Sequence, residues 1–265
     1  MAKIDIDNYR TFTNMGKTCE KRVICEKKVI WPEIDKKLFG NSIRIRSICL
    51  GDVDEAAELW RMSYPEVYGS PHEWILHPEE YNEHVALKET WKEDSVNKRF
   101  CMYVAEVIET GKLVGGSLLT KEDKNLHVEY TLATIHPDYR KGKKGTKIWL
   151  VALEIFKFLE ESGAEYMTTF CETWHNITQY MCLKQVGWKI AGIFPGNYTR
   201  WSGGQEEYRG CEVHFYKFLG DGAKYATKLE EWKLIPEAKK LWDVLEEINK
   251  ESDDVALREH RDKSN

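Results

Sequence analysis

The run KIWLVALEIFKFLEE (147–161) carries apolar residues on nearly every side of the helix it predicts. A helix with no wide polar face has to lie deep against other structure. The rest of the chain offers a sheet for it to lie on. IRIRSICL (43–50) alternates apolar and polar residues, as a half-buried strand does. FCMYVAEVIE (100–109) and KLVGGSLLT (112–120) are strand runs joined at Thr110-Gly111, a hairpin-like turn. LHVEYTLATI (126–135) and AEYMTTFCET (164–173) are β-branched and aromatic, and KIAGIF and CEVHFYKFL close the set around a polar loop, Pro195 to Gly210. Helices are expected after Asp52 or Asp54, from His77 to Trp91, and over HNITQYMCLKQVGW, stopped by Gly187. The order predicts an α/β (α+β) domain with helices packed on a mixed sheet.

Three regions follow: an N-terminal appendage (1–42), a main domain (43–220) and a C-terminal helical tail (221–265). In the tail, Leu241, Trp242, Leu245 and Ile248 are spaced for one helical face. A net charge of −5 gives no support for nucleic acid or an anionic membrane as the main partner, although a local basic pocket remains compatible with it. The start, MAKIDIDNYR, has no apolar core of a secretory signal, and no apolar run is long enough to span a bilayer. Seven cysteines, scattered without CxxC pairing, read as reduced thiols of a cytoplasmic protein.

Between the strand run ending at Ile135 and the apolar helix lies IHPDYRKGKKGTKIW (135–149), with one arginine, four lysines and two glycines. Backbone N–H groups at a helix start are unsatisfied and sit at the positive end of the helix dipole. Glycines let that backbone approach a ligand, so the stretch reads either as a phosphate site or as a solvated basic cap. It supplies neither G-x-x-x-x-G-K-[ST] nor G-x-G-x-x-G.

Ile135-His136-Pro137, Arg140 and Gly145 fall without a gap on V-x-P-x-x-[QR]-x-x-G-x-[GA], and Lys143 stands where the middle glycine is expected, with Gly142 beside it. On these residues the sequence resembles the GNAT superfamily of acyl-CoA-dependent N-acetyltransferases. Asn176 and Gly187-Trp188 match the two ends of a second family pattern, and the likeness covers roughly residues 43–220. The resemblance implies a GNAT fold, a mixed and mostly antiparallel central sheet with helices on both faces. It implies acetyl-CoA as acyl donor without a metal, held by Ile135, Arg140, Lys141, Gly142, Lys143, Lys144, Gly145, Thr146 and Asn176. It also implies a small-molecule primary amine as acceptor, neither nucleic acid nor membrane as partner, and a homodimer as one allowed state.

Acyl transfer to an alkylamine requires removal of a proton at neutral pH, which a carboxylate can accept directly or through water. Glu129 occupies the position of the family's glutamate base in an otherwise apolar strand run, and His127 shares its strand face. The plain alternative for Glu129 is a solvent-facing residue on a half-exposed strand. The family's tyrosine acid falls at Leu183, which leaves Tyr180, three residues earlier, as the substitute. Trp174, Tyr198, Trp201 and Tyr208 are candidates for the walls of an acceptor pocket, with Glu206 and Glu207 drawing in the cationic amine. Cys171 and His175 lie close, but no further Cys/His pair completes a zinc site. The missing tyrosine keeps a non-catalytic acyl-CoA-binding sensor or partner-binding module open as the alternative, and transfer of a longer acyl chain as a third.

Overall fold

The computed structural model describes residues 17–23 and 26–262; within the C-terminal two-thirds, the side chains at 143–147, 149, 254 and 256–262 lie outside the described set. Nine strands build one sheet. They are β1 (Asp35–Leu38), β2 (Ile43–Ser47), β3 (Val85–Ala86), β4 (Phe100–Val107), β5 (Leu113–Glu122), β6 (His127–Ile135), β7 (Tyr166–Glu172), β8 (Lys189–Gly203) and β9 (Glu206–Phe218). Their spatial order is β1-β2-β4-β5-β6-β7-β9-β8, with β3 beside β4. Only β3–β4 and β6–β7 run parallel. The helices are α1 (Val53–Ser63), α2 (Tyr81–His84), α3 (Trp91–Asn97), α4 (Gly142–Leu159), α5 (Ile177–Lys184) and α6 (Pro236–Asp262).

Period-two alternation divides the strands between two cores. Tyr103, Leu119, Val128, Tyr130, Met167, Cys171 and Phe215 face α4 and α5, where Ile148, Val151, Ile155 and Leu159 present the buried stripe of α4. Met102, Val104, Leu113 and Leu118 face the other way, against Ala56, Leu59 and Trp60 of α1. The glycine pair in β5 allows both layers to close on one strand. A Cβ on Gly115 would lie 3.1 Å from the Ile148 side chain, and one on Gly116 would lie 3.3 Å from the Trp60 ring.

Residues 29–38 are woven into this domain. β1 pairs antiparallel with β2, while Val29, Trp31 and Ile34 belong to the α4-side core. The buried Lys121 ammonium donates to the carbonyls of Val29 (2.6 Å), Ser95 (2.9 Å) and Val96 (2.8 Å), tying the segment to β5 and α3. Three local expectations change. Asp52 sits at the N-cap of α1 without capping it, because its carboxylate is bonded to Arg46 and to the Cys49 N–H. The helix expected from His77 to Trp91 is broken into short turns and α2, since Val85 and Ala86 leave helical geometry to pair with β4. Pro195 to Gly210 is not a loop but most of a long β8–β9 hairpin, whose irregular register between Phe194 and Tyr198 absorbs Pro195, Gly196 and Asn197.

The tail helix α6 docks through only half of the expected face, Trp242 and Leu245. Leu245, Asn249 and Ser252 are buried, whereas Leu241 and Ile248 stay outside. Asn249 reads the outer edge of β8 as another strand would: its Oδ1 accepts from Ile190 N–H (2.7 Å) and its Nδ2 donates to Ile190 C=O (2.9 Å). Among the described residues no helix is long and apolar enough to cross a membrane.

Candidate active site

The site begins where two strands part. β6 and β7 pair in parallel only from His127↔Tyr166 to Tyr130↔Thr169. Thr169 ends the ladder by donating its hydroxyl to Tyr130 C=O at 2.9 Å. From Thr131 to Ile135, β6 keeps β5 on one side but has no strand on the other. A cavity of about 440 Å³ occupies the fork. It passes through the sheet, because its lining comes from both layers: Tyr130, Ile148 and Cys182 from the α4 side, Tyr64 and Glu172 from the α1 end.

The cavity is mostly apolar, yet four of its lining residues carry buried polar atoms that bond to nothing: Ser63 Oγ, Thr134 Oγ1, His175 Nδ1 and Thr178 Oγ1. Buried polar atoms are nearly always bonded to protein, water or ligand, so these four can bond to whatever fills the cavity. At the head of α4 the N-cap residue, Lys141, is extended and makes no side-chain cap bond. Gly142 follows at φ +63°, open enough that nothing lies within 4 Å of where its Cβ would be. An apolar gap with scattered polar groups, lined by Arg140 just before the helix start, fits a long ligand with an anionic end.

Beyond the fork lies a charged cluster. Glu172 and Glu212 face each other across β7 and β9. Arg200 on β8 donates to Glu172 Oε1 from Nε (2.8 Å) and Nη2 (2.6 Å), and to Glu212 Oε1 at 3.0 Å. The Tyr64 hydroxyl donates to the same Glu172 oxygen at 2.8 Å, and Asn197 Nδ2 donates to Glu212 Oε2 at 2.8 Å. The cluster opens into a shallow mouth lined by Tyr64, Glu66, Glu172, Trp174, Arg200 and Tyr208. With two glutamates, Glu66 and Glu172, and one arginine among its lining residues, the mouth favours a cation.

Glu129 lies on the α1-side face of β6. It stands opposite Thr120 and two residues before Thr131, whose hydroxyl meets that of Thr120 at 2.7 Å. Burial raises its pKa; the Thr131 hydrogen bond opposes that shift and the charge of Glu212 adds to it. Burial raises Glu212 as well, against the Asn197 bond and Arg200. Both carboxylates therefore hold protons more strongly than an ordinary glutamate.

Of the sequence candidates, Ile135 and Arg140 line the cavity. Arg140 is also a clip, donating from Nε to Ile135 C=O (2.9 Å) and from Nη2 to Ser63 C=O. Lys141 and Gly142 are exposed at the head of α4. Lys143, Lys144, Gly145 and Thr146 form its first turn in backbone, and their side chains lie outside the described residues. Asn176 is the exposed N-cap of α5 and makes no cap bond with its side chain. Glu129 is not among the residues lining the cavity.

Tyr180 is 59% exposed and is not brought to the cavity, because α5 turns Met181 and Cys182 inward instead. Leu183 packs against the core. His127 is engaged with Thr168 Oγ1 at 2.7 Å. Trp174 and Tyr208 do wall the mouth, but Tyr198 lies under the Arg200 guanidinium at 4.4 Å and Trp201 packs on Tyr68. The mouth carboxylates are Glu66 and Glu172, while Glu206 and Glu207 lie exposed near the hairpin turn. Glu172 and Glu212 are not sequence candidates, because the family frame that marks Glu129 assigns nothing to their positions. Among the described residues no group of three or more His, Cys, Asp or Glu could hold a metal ion.

The mixed sheet with its packed helices is similar in fold to solved structures. A ribosomal-protein-S5-alanine acetyltransferase from Vibrio fischeri matches over 71% of this chain and 98% of its own, with a TM-score of 0.53 at 12% identity. An acetyltransferase of the GNAT family from Streptococcus pneumoniae matches over 67% and 99%, with a TM-score of 0.50 at 18% identity. The chain has the GNAT fold. At these identities the likeness is one of architecture. No protein-family model and no curated protein matches the sequence. The shares covered leave about the length of the N-terminal segment and α6 beyond the common GNAT architecture.

Proposed function

We propose that the protein is an acyl-CoA-dependent N-acyltransferase, most simply an acetyltransferase, acting on a primary amine of a small cationic molecule. The observation that carries this reading is the fork between β6 and β7. Its cavity runs from Arg140, just before the head of α4, to Glu172 and Arg200, which it shares with a carboxylate-bearing mouth. The first-turn backbone of α4, from Gly142 to Thr146, would hold the pyrophosphate of coenzyme A, with Lys143 and Lys144 supporting it and Asn176 nearby on α5. The unpaired edge of β6 from Thr131 to Ile135 and the four unbonded polar atoms would take the arm that carries the acyl group. When bound, the coenzyme supplies an acyl group activated as a thioester.

The chain's own part is to gather the amine and remove its proton. Glu66 and Glu172 attract the cation between Tyr64, Trp174 and Tyr208. Glu129, with a raised pKa on the same side of the sheet, accepts the proton through water. Arg200 fixes the Glu172 and Glu212 carboxylates, so the mouth is built before the acceptor arrives. Calorimetry with acetyl-CoA tests the donor half, and the absence of binding at millimolar ligand rejects it. A broad amine screen read by thiol release tests the transfer half. The exposure of Tyr180 favours one second reading, an acyl-CoA-binding module without turnover, and thiol release with any amine excludes it.

A further inference from the structure

Two thiols belong to the wall of the cavity and have no role in the reading above. Cys171 on β7 and Cys182 on α5 place their Sγ atoms 3.7 Å apart. Both side chains line the cavity, so a solute entering the fork reaches the pair although each residue is buried from the outer surface. A disulfide has its sulfurs about 2.05 Å apart, so bonding requires them to close by less than about 2 Å. The pair bridges a strand and the helix packed on it, two elements that together form one wall of the cavity.

We propose that Cys171 and Cys182 are a thiol modification site, at which a low-molecular-weight disulfide entering the cavity converts the pair to an intramolecular disulfide. Cys171 as thiolate attacks one sulfur of the incoming disulfide, forming a mixed disulfide and releasing one small thiolate. Cys182, after losing its proton, attacks the Cys171 sulfur and releases the second small thiolate. Two protein thiols are thereby oxidised by two electrons, and the small disulfide is reduced to two thiols. The hydrogen bond that Cys182 shares with Cys171, then burial, raises the Cys182 pKa, so the thiolate that exchange needs forms more readily as pH rises. Drawing the sulfurs together pulls α5 onto β7 and narrows the fork. If the fork is the donor site, as proposed above, the oxidised form loses acetyl-CoA.

The test uses the full chain with oxidised glutathione as probe, followed by alkylation of remaining thiols and peptide mapping. The expected result is one Cys171–Cys182 link per chain, reversed by dithiothreitol, forming roughly tenfold faster per pH unit below the thiol pKa. In the Cys182→Ser variant, glutathione should remain attached at Cys171. Recovery of both wild-type cysteines in alkylated form, while the less buried Cys19 has taken up glutathione, overturns the proposal. That outcome needs no variant, so a folding defect cannot hide it. Acetyl-CoA added first should slow the link. A link that forms at an unchanged rate under saturating acetyl-CoA upholds the thiol site and removes the donor assignment instead.

Discussion

The two ends of the cavity are built on opposite physical plans. The fork between β6 and β7 is apolar and under-bonded, with a missing strand on one side and four polar atoms without partners. The mouth is charged and closely bonded: Glu172 Oε1 alone accepts from Tyr64 and twice from Arg200. An under-bonded wall gains from a ligand that completes it, which suits a long donor with amide and phosphate groups. A pre-bonded cluster gives its charges fixed positions, which suits attraction and orientation of a small cation. The difference teaches that stability and binding are separated in space here. Disturbing the mouth should cost folding, whereas disturbing the fork should cost binding.

The largest effect tests that separation. Arg200→Ala leaves Glu172 and Glu212 buried without their counter-charge, and the loss expected in urea unfolding is about 3–5 kcal/mol. Full retention of stability would mean that the mouth is not the rigid half. Ala152→Trp, on the α4 wall of the fork, fills space instead. Acetyl-CoA affinity measured by calorimetry should fall by about 100-fold, near 2.7 kcal/mol, with a smaller change in unfolding. Unchanged affinity would move the donor out of the fork.

The pH profile sharpens the link between the two ends. Burial chiefly, and the Glu212 charge in addition, raises the Glu129 pKa. A base must be ionised to accept a proton, so kcat/KM should fall, as pH drops, at a value above the ordinary carboxylate range. Glu212→Gln removes one negative neighbour, lowers the Glu129 pKa and shifts that acidic limb to lower pH. A limb that stays in place shows that Glu129 is not the base. The smallest effect belongs to the loop. Lys143→Glu and Lys144→Glu should each weaken acetyl-CoA binding by about tenfold at low salt, and by less at high salt because exposed charges are screened.

Much of the fold was legible because its signals are local. The all-round apolar run placed α4, alternation placed the inner strands, and Thr110-Gly111 placed a turn. The helix read from His77 to Trp91 failed because β3 gains backbone partners on β4, and that tertiary pairing outweighs local helical preference. The β8–β9 hairpin departs from the loop that proline and glycines in Pro195 to Gly210 predict, because the register irregularity that tolerates them becomes visible only across a paired strand. For the candidate site, the loop at 135–149 is a local signal for the proposed donor half, whereas the exposure of Tyr180 depends on which face α5 turns inward, a tertiary choice.

What the sequence by itself determined is the set of elements and the chemical character of the α4 head. Helical and strand periods, like a glycine-rich basic junction, are properties of neighbouring residues. Tertiary structure alone decided where β6 and β7 stop pairing, and which distant side chains meet there. Glu172, Arg200 and Glu212 come from three strands and Tyr64 from the turn after α1, and two cysteines eleven positions apart meet across the wall of one cavity. Period two fixes which face of a strand a residue occupies, but not which strand lies beside it. That neighbour is chosen by packing across the whole sheet, and the site is made of neighbours.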